Sequence, residues 1–600
     1  MGETPMNRTR CTTLLRPVLM IAAAALVAAA CLQLAASAQS SARGTITGRV
    51  TADRGEVRAF RVAAHNLDRR LWYTVFTNKG QYILPQALPG RYELTVVEPE
   101  YESPRVTVQL GAGDSQQGDL ALKRRTTQQE RTLTSGDEGP QARAGRTVQS
   151  VYFNSLEELY PAGPARDLLR EHCIGCHRDD FGAMHLTKDA FVRGIEKMTE
   201  TGPANNHYSL ALGRTPISKP QKVMVAEYLA QHFGPGLPDK KLKVEPLVFD
   251  EAVASKAVYV SYDIPADLPF PSMGNQIGGN MVDGVIPQLA PETRHHLQAA
   301  AISPVDGRVW YSSRASSSIL GLDPKQLDPA KRWDNHPIKG EPYVHPTGIA
   351  VDKQGRVYWA EARGSRLGEL DPVTRKQIRY ALPAQAGAML QVVVDKDQNI
   401  DFSIIWGAFF GKLEATSRRL HMYPTPTPDN GIYGLDVDRD GNMWGAGWQK
   451  GTISKWDAKT EAVTEYKVPS AWGQIRRICV DSKGIVWGSA YNTGILVRLD
   501  PATGKMTDYK IPVAGAQPYD AWPDAADNIW TADHVHSAIV KLDPRANRWT
   551  FYPMPQPNQS LPKFEVAPDN TLWFGSRGVP VIAAVHFYPN GYTPENRPLP

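Results

Sequence analysis

Gly348-Ile-Ala-Val-Asp352-Lys-Gln-Gly355-Arg-Val-Tyr-Trp359, continued by Leu367-Gly-Glu-Leu-Asp-Pro372, decides the fold. Its Asp-x-x-Gly segment reads as a tight turn between two runs of aliphatic and aromatic residues, the pattern of adjacent short strands. Related turns follow at Asp438-Arg-Asp-Gly441, at Asp481-Ser-Lys-Gly484 and, as a variant, at Pro568-Asp569-Asn570. Leu-Asp-Pro recurs at 322–324, 370–372, 499–501 and 542–544, and Tyr-x-x-Pro at 380–383, 466–469, 509–512 and 552–555. Trp310, Trp359, Trp406, Trp444, Trp487, Trp530 and Trp573 are spaced by 49, 47, 38, 43, 43 and 43 residues. A period near 43 with four short strands per unit predicts a seven-bladed β-propeller over residues 257–600. Only neighbouring blades cover a blade's faces, so the ring must close. Tyr262-Asp-Ile-Pro265 can supply the outer strand of the last blade, whose own end is Tyr588-Pro589.

The unit resembles the virginiamycin B lyase (streptogramin lyase) family over about residues 257–600. The resemblance implies a C–O lyase that opens a cyclic depsipeptide, with Mg held by Glu ligands and a His base at the propeller mouth. That family's blades often read Trp-Phe-Thr-Glu. Here the triplets after each Trp contain an acid only at Glu361 and Asp533, and small residues replace most of the rest. Glu361, His534 and His536 are the candidate catalytic residues of that reading, and His345 precedes the Glu361 strand. Mg enters only with this reading.

Upstream, Cys173-Ile-Gly-Cys176-His177 matches c-type haem attachment. One helical turn places both thiols for addition to the two haem vinyl groups, and the next residue brings an imidazole under the iron. Cys173 and Cys176 are the covalent haem sites, and His177 is the proximal iron ligand. Other readings of the pair are a disulfide, a redox dithiol or half of a zinc site. No second CxxC completes a zinc site, and no βαβ context supports a dithiol. With the helical spacing of Ala165–His172 and a terminal helix over Val223–Phe233, residues 148–236 resemble a class I cytochrome c domain. Met184, His185, Met198, His207 and Met224 are available as sixth ligand. Met198 is carried over from the Met-x-x-x-Gly of small cytochrome domains attached to propellers, which Met198–Gly202 resembles.

At the N-terminus, Arg8, Arg10 and Arg16 precede an apolar run from Val18 to Leu34 and a small-x-small site at Ala36-Ser37-Ala38. This predicts a signal peptide over 1–38, cleaved after Ala38, and a periplasmic or secreted protein with no transmembrane span left. Residues 44–122 read as short strands in a small antiparallel sandwich. The Thr77-Asn-Lys-Gly-Gln-Tyr82 and Leu88-Pro-Gly-Arg-Tyr92 turns resemble the carboxypeptidase regulatory-like domain, which implies a carbohydrate-binding-like fold and an accessory role. Residues 123–147 are polar and read as a linker, and Lys240-Lys241-Leu-Lys243 as part of a solvated connector.

Composition narrows the function. The 600 residues carry a formal net charge of +5, too small a surplus to predict nucleic-acid binding. Five Cys exclude a disulfide framework. Two of them precede residue 38, and Cys479 reads as a buried core thiol. The fold class expected is mainly β: a propeller, a small α-helical cytochrome c domain and an N-terminal β-sandwich. The function expected is an exported c-type cytochrome with one covalent haem c and a periplasmic redox partner, its propeller binding a partner or substrate. The alternatives are an exported oxidoreductase with its substrate site at the mouth, a lyase with an accessory haem, and a module that binds glycans or the cell envelope.

Overall fold

The computed structural model describes Gly2 and residues 43–125, 150–199, 217–264 and 297–591, except 315, 341–343, 363, 384–386, 406, 558–560, 562 and 576–583. Within these, the side chains of Cys176 and residues 197–199 are outside the description. The expected signal peptide apart from Gly2, its cleavage after Ala38, Trp406 and His207 lie outside the described residues. Among the described residues no helix is long and apolar enough to cross a membrane.

Six four-stranded antiparallel sheets follow one another from Leu297 to Pro553. The seventh blade combines Phe564–Val566, Leu572–Gly575 and Ala584–Tyr588 with Val258–Tyr262 from before the first blade. Tyr262 lies opposite Ala584, and Val258 opposite Tyr588. This is the expected closure: a strand from one end of the ring protects the edge at the other.

The repeat has a local cause. In the turn after each first strand, Asp438 Oδ1 accepts from the backbone N–H groups of Asp440 and Asn442, while its Oδ2 accepts from Trp444 Nε1 at 2.9 Å. Asp481 holds Trp487 at 3.0 Å, and Asp524 holds Trp530 at 3.0 Å. Gly441 (φ 88°) and Gly484 (φ 77°) close such turns in the left-handed region, where Cβ is costly. Asp, Gly and Trp therefore recur together because one carboxylate ties the turn to the ring.

These turns correct the register of the tryptophans. The same backbone hydrogen bond closes the turn at Ser303–Arg308, Asp352–Arg356, Asp395–Asn399, Asp438–Asn442, Asp481–Ile485, Asp524–Asn528 and Ala567–Thr571. Two residues on stand Trp310, Tyr358, Asp401, Trp444, Trp487, Trp530 and Trp573, spaced by 48 and then 43 throughout. Trp359 is one residue out of step and packs where a Cβ on Gly368 would sit, 1.9 Å away. Trp406 is five residues out of step. In the third blade Asp401 takes the ring's place, and Lys412 joins Asp395 and Asp401 at 2.8 Å each. An indole marks a blade only when the turn presents it.

The N-terminal domain is a sandwich, but not an all-antiparallel one. Gly44–Ala52 pairs in parallel with Ser115–Gln117 and with Leu120–Arg124, and antiparallel with Gln81–Ala87. First and last strands are joined through the whole domain, so no tight turn forces them to run opposite ways. The second sheet, Leu71–Phe76 with Arg61–Asn66, Gly90–Val96 and Val106–Leu110, does not stop at the domain boundary. Leu71–Phe76 pairs antiparallel with Val258–Tyr262, so one eight-stranded sheet runs from the last blade into the sandwich. Tyr73, Tyr92, Val260, Tyr262, Leu297 and Tyr311 share one core.

Between sandwich and propeller lies a helical module. Ser150–Phe153 pairs in parallel with Asp239–Leu242, so Lys240 and Lys241 belong to a strand rather than to a loose connector. Helix Pro164–Leu169 continues through a π-helical turn at Arg170–Ile174 into Gly175–His177. Helices Lys188–Thr199 and Lys219–Phe233 complete it, the latter opened by a Ser218/Gln221 capping box. Leu159, Tyr160, Leu169, Ile174, Phe191, Val225, Leu229 and Phe233 form its core.

Candidate functional site

The helical module sits on one end of the propeller, where turns between second and third strands meet the loops that enter the next blade. The Cys173–His177 turn makes the contact. The Trp448 indole lies flush against Gly175, so that a Cβ there would stand 2.3 Å from the ring. Lys450 Nζ pairs with Glu171 at 2.7 Å, and Gln474 Nε2 donates to the Arg170 carbonyl at 2.7 Å. Arg178 donates to the Gly515 carbonyl at 3.1 Å, and Trp472 stacks on Tyr160 at 5.9 Å. The orientation of this module is thereby set by contacts with the fourth blade and with the loops that enter the fifth and sixth.

Beneath the turn is a buried aromatic cluster around an arginine. The Arg476 guanidinium lies 4.0 Å from the ring centres of both Tyr491 and Tyr519, 4.9 Å from Trp448 and 5.3 Å from Tyr433. Tyr433 and Tyr519 share a hydroxyl hydrogen bond of 2.7 Å. Arg477 donates to Gln391 at 2.5 Å. Such cation–π packing holds a charge out of water while keeping it stabilised. Sequence reading missed this cluster, because its members come from three blades and share no motif. The adjacent Arg476-Arg477 on an otherwise apolar strand was the available signal.

The predicted residues divide. Glu361 and Asp533 end equivalent strands, Val357–Glu361 and Ile529–Asp533, in different blades. Glu361 is fully buried and is gripped by Arg379 Nε at 2.8 Å and Nη2 at 2.6 Å, with Trp359 Nε1 at 3.1 Å. A carboxylate so neutralised does not fit a magnesium ligand. Among the described residues no group of three or more His, Cys, Asp or Glu side chains could hold a metal ion. His345 accepts from Arg314 Nε. His534 stacks on Tyr519 at 4.6 Å with its Nε2 2.9 Å from the Leu561 carbonyl, so it belongs to the aromatic cluster. His536 turns away from it, to Asp533 at 2.6 Å.

In the Cys173–His177 turn, Cys173 is half-buried against the helical core. Asp180 Oδ2 stands 3.7 Å from His177 Nδ1, and the imidazole packs on Phe181 at 5.1 Å. At that distance the carboxylate lies beside the ring but beyond hydrogen-bond reach of it. Two cysteines three residues apart on helical backbone, followed by this histidine, fit a c-type haem. Met198 lies on helix Lys188–Thr199, with its side chain outside the description. Of the other sixth-ligand candidates, Met224 is exposed, and His185 is taken by Asp239 at 2.6 Å. Met184 packs against the module's core. Cys479 is fully buried behind Trp487 and Leu496, and burial pushes its thiol well up.

Titratable side chains lie on or beside the first strands of the fourth and seventh blades. Burial pushes Glu565 up to about 7 and Asp436 up to about 6, and pulls Lys563 down to about 8. Asp436 and Asp520 accept backbone N–H groups of the next blade, Val480 at 2.8 Å and Phe564 at 3.2 Å.

The virginiamycin B lyase family model matches residues 418–588, and the carboxypeptidase regulatory-like domain model matches residues 45–123. A catalytically inactive virginiamycin B lyase from Staphylococcus aureus with quinupristin is 16% identical, covering 50% of this chain and 97% of its own, at a TM-score of 0.45. A streptogramin B lyase structure is 18% identical, covering 50% and 95%, at 0.44. The RRP9 WD40 repeats are 10% identical, covering 49% and 94%, at 0.42. No curated protein matches. The chain thus joins a virginiamycin B lyase-like propeller to an N-terminal carboxypeptidase regulatory-like domain.

Proposed function

We propose that this protein is an exported c-type cytochrome whose haem-attachment turn is seated on the mouth of a lyase-like propeller. The observation that supports it is the helical Cys173-x-x-Cys176-His177 turn with Asp180 beside the imidazole. Cys173 and Cys176 would hold one haem c, His177 would be its proximal ligand, and Met198 is the proposed distal one. When bound, the group supplies one-electron chemistry. The chain's own part is to pack His177 on Phe181, with Asp180 alongside, and to fix the turn against Trp448, Lys450 and Gln474. A periplasmic protein is the proposed redox partner, and the mouth is the proposed surface for it or for a small ligand.

The test is a pyridine haemochrome spectrum of the periplasmically expressed protein. Wild type should show one covalent haem, and Cys176→Ser should lose the two-thioether signature. An unchanged covalent signal in that variant would sink the attachment claim. Met198→Ala should remove the near-infrared Met–iron band, and a persisting band assigns the ligand elsewhere. The family match at 418–588 supports a second reading, a C–O lyase. Opening of a cyclic depsipeptide by the wild-type protein would favour it over the cytochrome.

A further inference from the structure

We propose that His536 is a pH-operated latch that holds the connector, and with it the helical module, on the mouth of the propeller. The inference does not depend on the haem. His536 Nδ1 stands 2.6 Å from Asp533 Oδ2, and its Nε2 stands 2.8 Å from the Glu245 carbonyl oxygen. Both partners are acceptors. A neutral imidazole offers one N–H and one lone pair, so either tautomer would set a lone pair against an oxygen. The geometry fits an imidazolium that donates from both nitrogens.

The pair is fixed from behind. Asp533 is fully buried, and its Oδ1 accepts from the backbone N–H groups of Gln517 at 3.0 Å and Val535 at 3.1 Å. The connector that His536 grips is also tied at Ala514, whose carbonyl accepts from Glu245 N at 3.1 Å. Ahead of it, Lys243 N donates to the Phe153 carbonyl at 2.7 Å. Glu245 therefore joins strand Asp239–Leu242 of the helical module to the sixth blade.

The charges facing His536 can be named. Its own turn presents Asp533. The connector presents the Glu245 carbonyl and, nearby, the Glu245 carboxylate paired with Lys243 at 3.6 Å. The helical module presents Arg178, which opposes the positive ring. The loop entering the blade presents the uncharged Gly515 and Gln517. Burial lowers the ring's proton affinity, but the Asp533 carboxylate and the Glu245 carbonyl outweigh it, and His536 titrates above the ordinary imidazole range. A group whose folded pKa is raised contributes its stability below the unfolded pKa and loses it as pH rises through the folded one. The latch is thus closed in acid and opens as the medium becomes alkaline. With both nitrogens donating, His536 has no lone pair to act as the base of an elimination.

Hydrogen–deuterium exchange of residues 239–247 in the full chain tests this, with rates normalised to intrinsic exchange, from about pH 6 to about pH 9. Loss of a charge-assisted hydrogen bond should raise opening of this segment by roughly tenfold or more across the titration. In His536→Gln the segment should be open and pH-independent. A flat wild-type profile, or one that His536→Gln shares, overturns the proposal. Histidine-selective ¹⁵N labelling of the wild type gives a check that needs no variant. At about pH 6 both His536 ring nitrogens should carry protons, and a lone-pair nitrogen there refutes the latch.

Discussion

Gly175→Ala isolates the contact that seats the helical module. In this turn glycine has ordinary helical backbone (φ −54°), so no positive φ demands it. The reason for glycine is external. An added Cβ would stand 2.3, 2.5 and 2.8 Å from Cζ2, Cε2 and Nε1 of Trp448. That indole cannot swing aside, because it is 4% exposed and packed among Tyr433, Tyr491 and Arg476. Overpacking of this kind costs about 1–3 kcal/mol. Alanine also favours helix over glycine by about 0.5–1 kcal/mol, but that gain is shared by seated and unseated turns and does not offset the clash. The unseated population should therefore rise roughly 5- to 150-fold. Hydrogen exchange of residues 170–178 reads this directly. The loss should vanish in a Trp448→Ala background, where the clash is gone. Wild-type protection in Gly175→Ala, or an equal loss with and without Trp448, would refute the reasoning.

Other outcomes follow from the same structure. Glu565 carries a carboxyl raised to about 7 by burial, so its contribution is present in acid and lost as pH rises from the ordinary Glu range through about 7. Glu565→Gln should flatten the fall in stability over that window by up to about 1.4 kcal/mol per pH unit in urea titrations. Asp481→Ala removes acceptors from Lys483 N, Ile485 N and Trp487 Nε1 and should cost about 1–3 kcal/mol, read from the denaturation midpoint. Asp500→Ala, on an exposed turn, should cost less than half of that. A chain beginning at residue 265 lacks Val258–Tyr262 and bares the edge of Ala584–Tyr588, so size-exclusion chromatography should show association. A monodisperse monomer would show that closure needs no strand from before the first blade.

Much of the architecture was readable because its causes are local. Asp-x-x-Gly closes a turn by its own side chain and by a left-handed glycine, and that chemistry repeats wherever the letters repeat. The closing strand was readable as well, since Tyr262-Asp-Ile-Pro265 copies the outer-strand pattern one unit too early. The register was misread where a second aromatic stood near the right place. Trp359 faces Gly368 from the other side of the sheet, and Asp401 with Lys412 replaces an indole altogether. Periodicity counts letters, whereas the blade is defined by a backbone hydrogen bond.

Sequence alone determined the number of blades, the closing strand, the N-terminal β domain and the Cys173–His177 turn, because turn chemistry and residue spacing act over a few bonds. It left open how these parts meet. Only the tertiary structure decided that Leu71–Phe76 extends the last blade into the sandwich, that Trp448 covers Gly175, and that Arg476 is buried among rings from three blades. It also separated the acids that looked alike in sequence. Glu361 is bound by Arg379, whereas Asp533 holds His536 against the connector. Such pairings depend on side chains brought together from hundreds of residues apart, and no local preference encodes them.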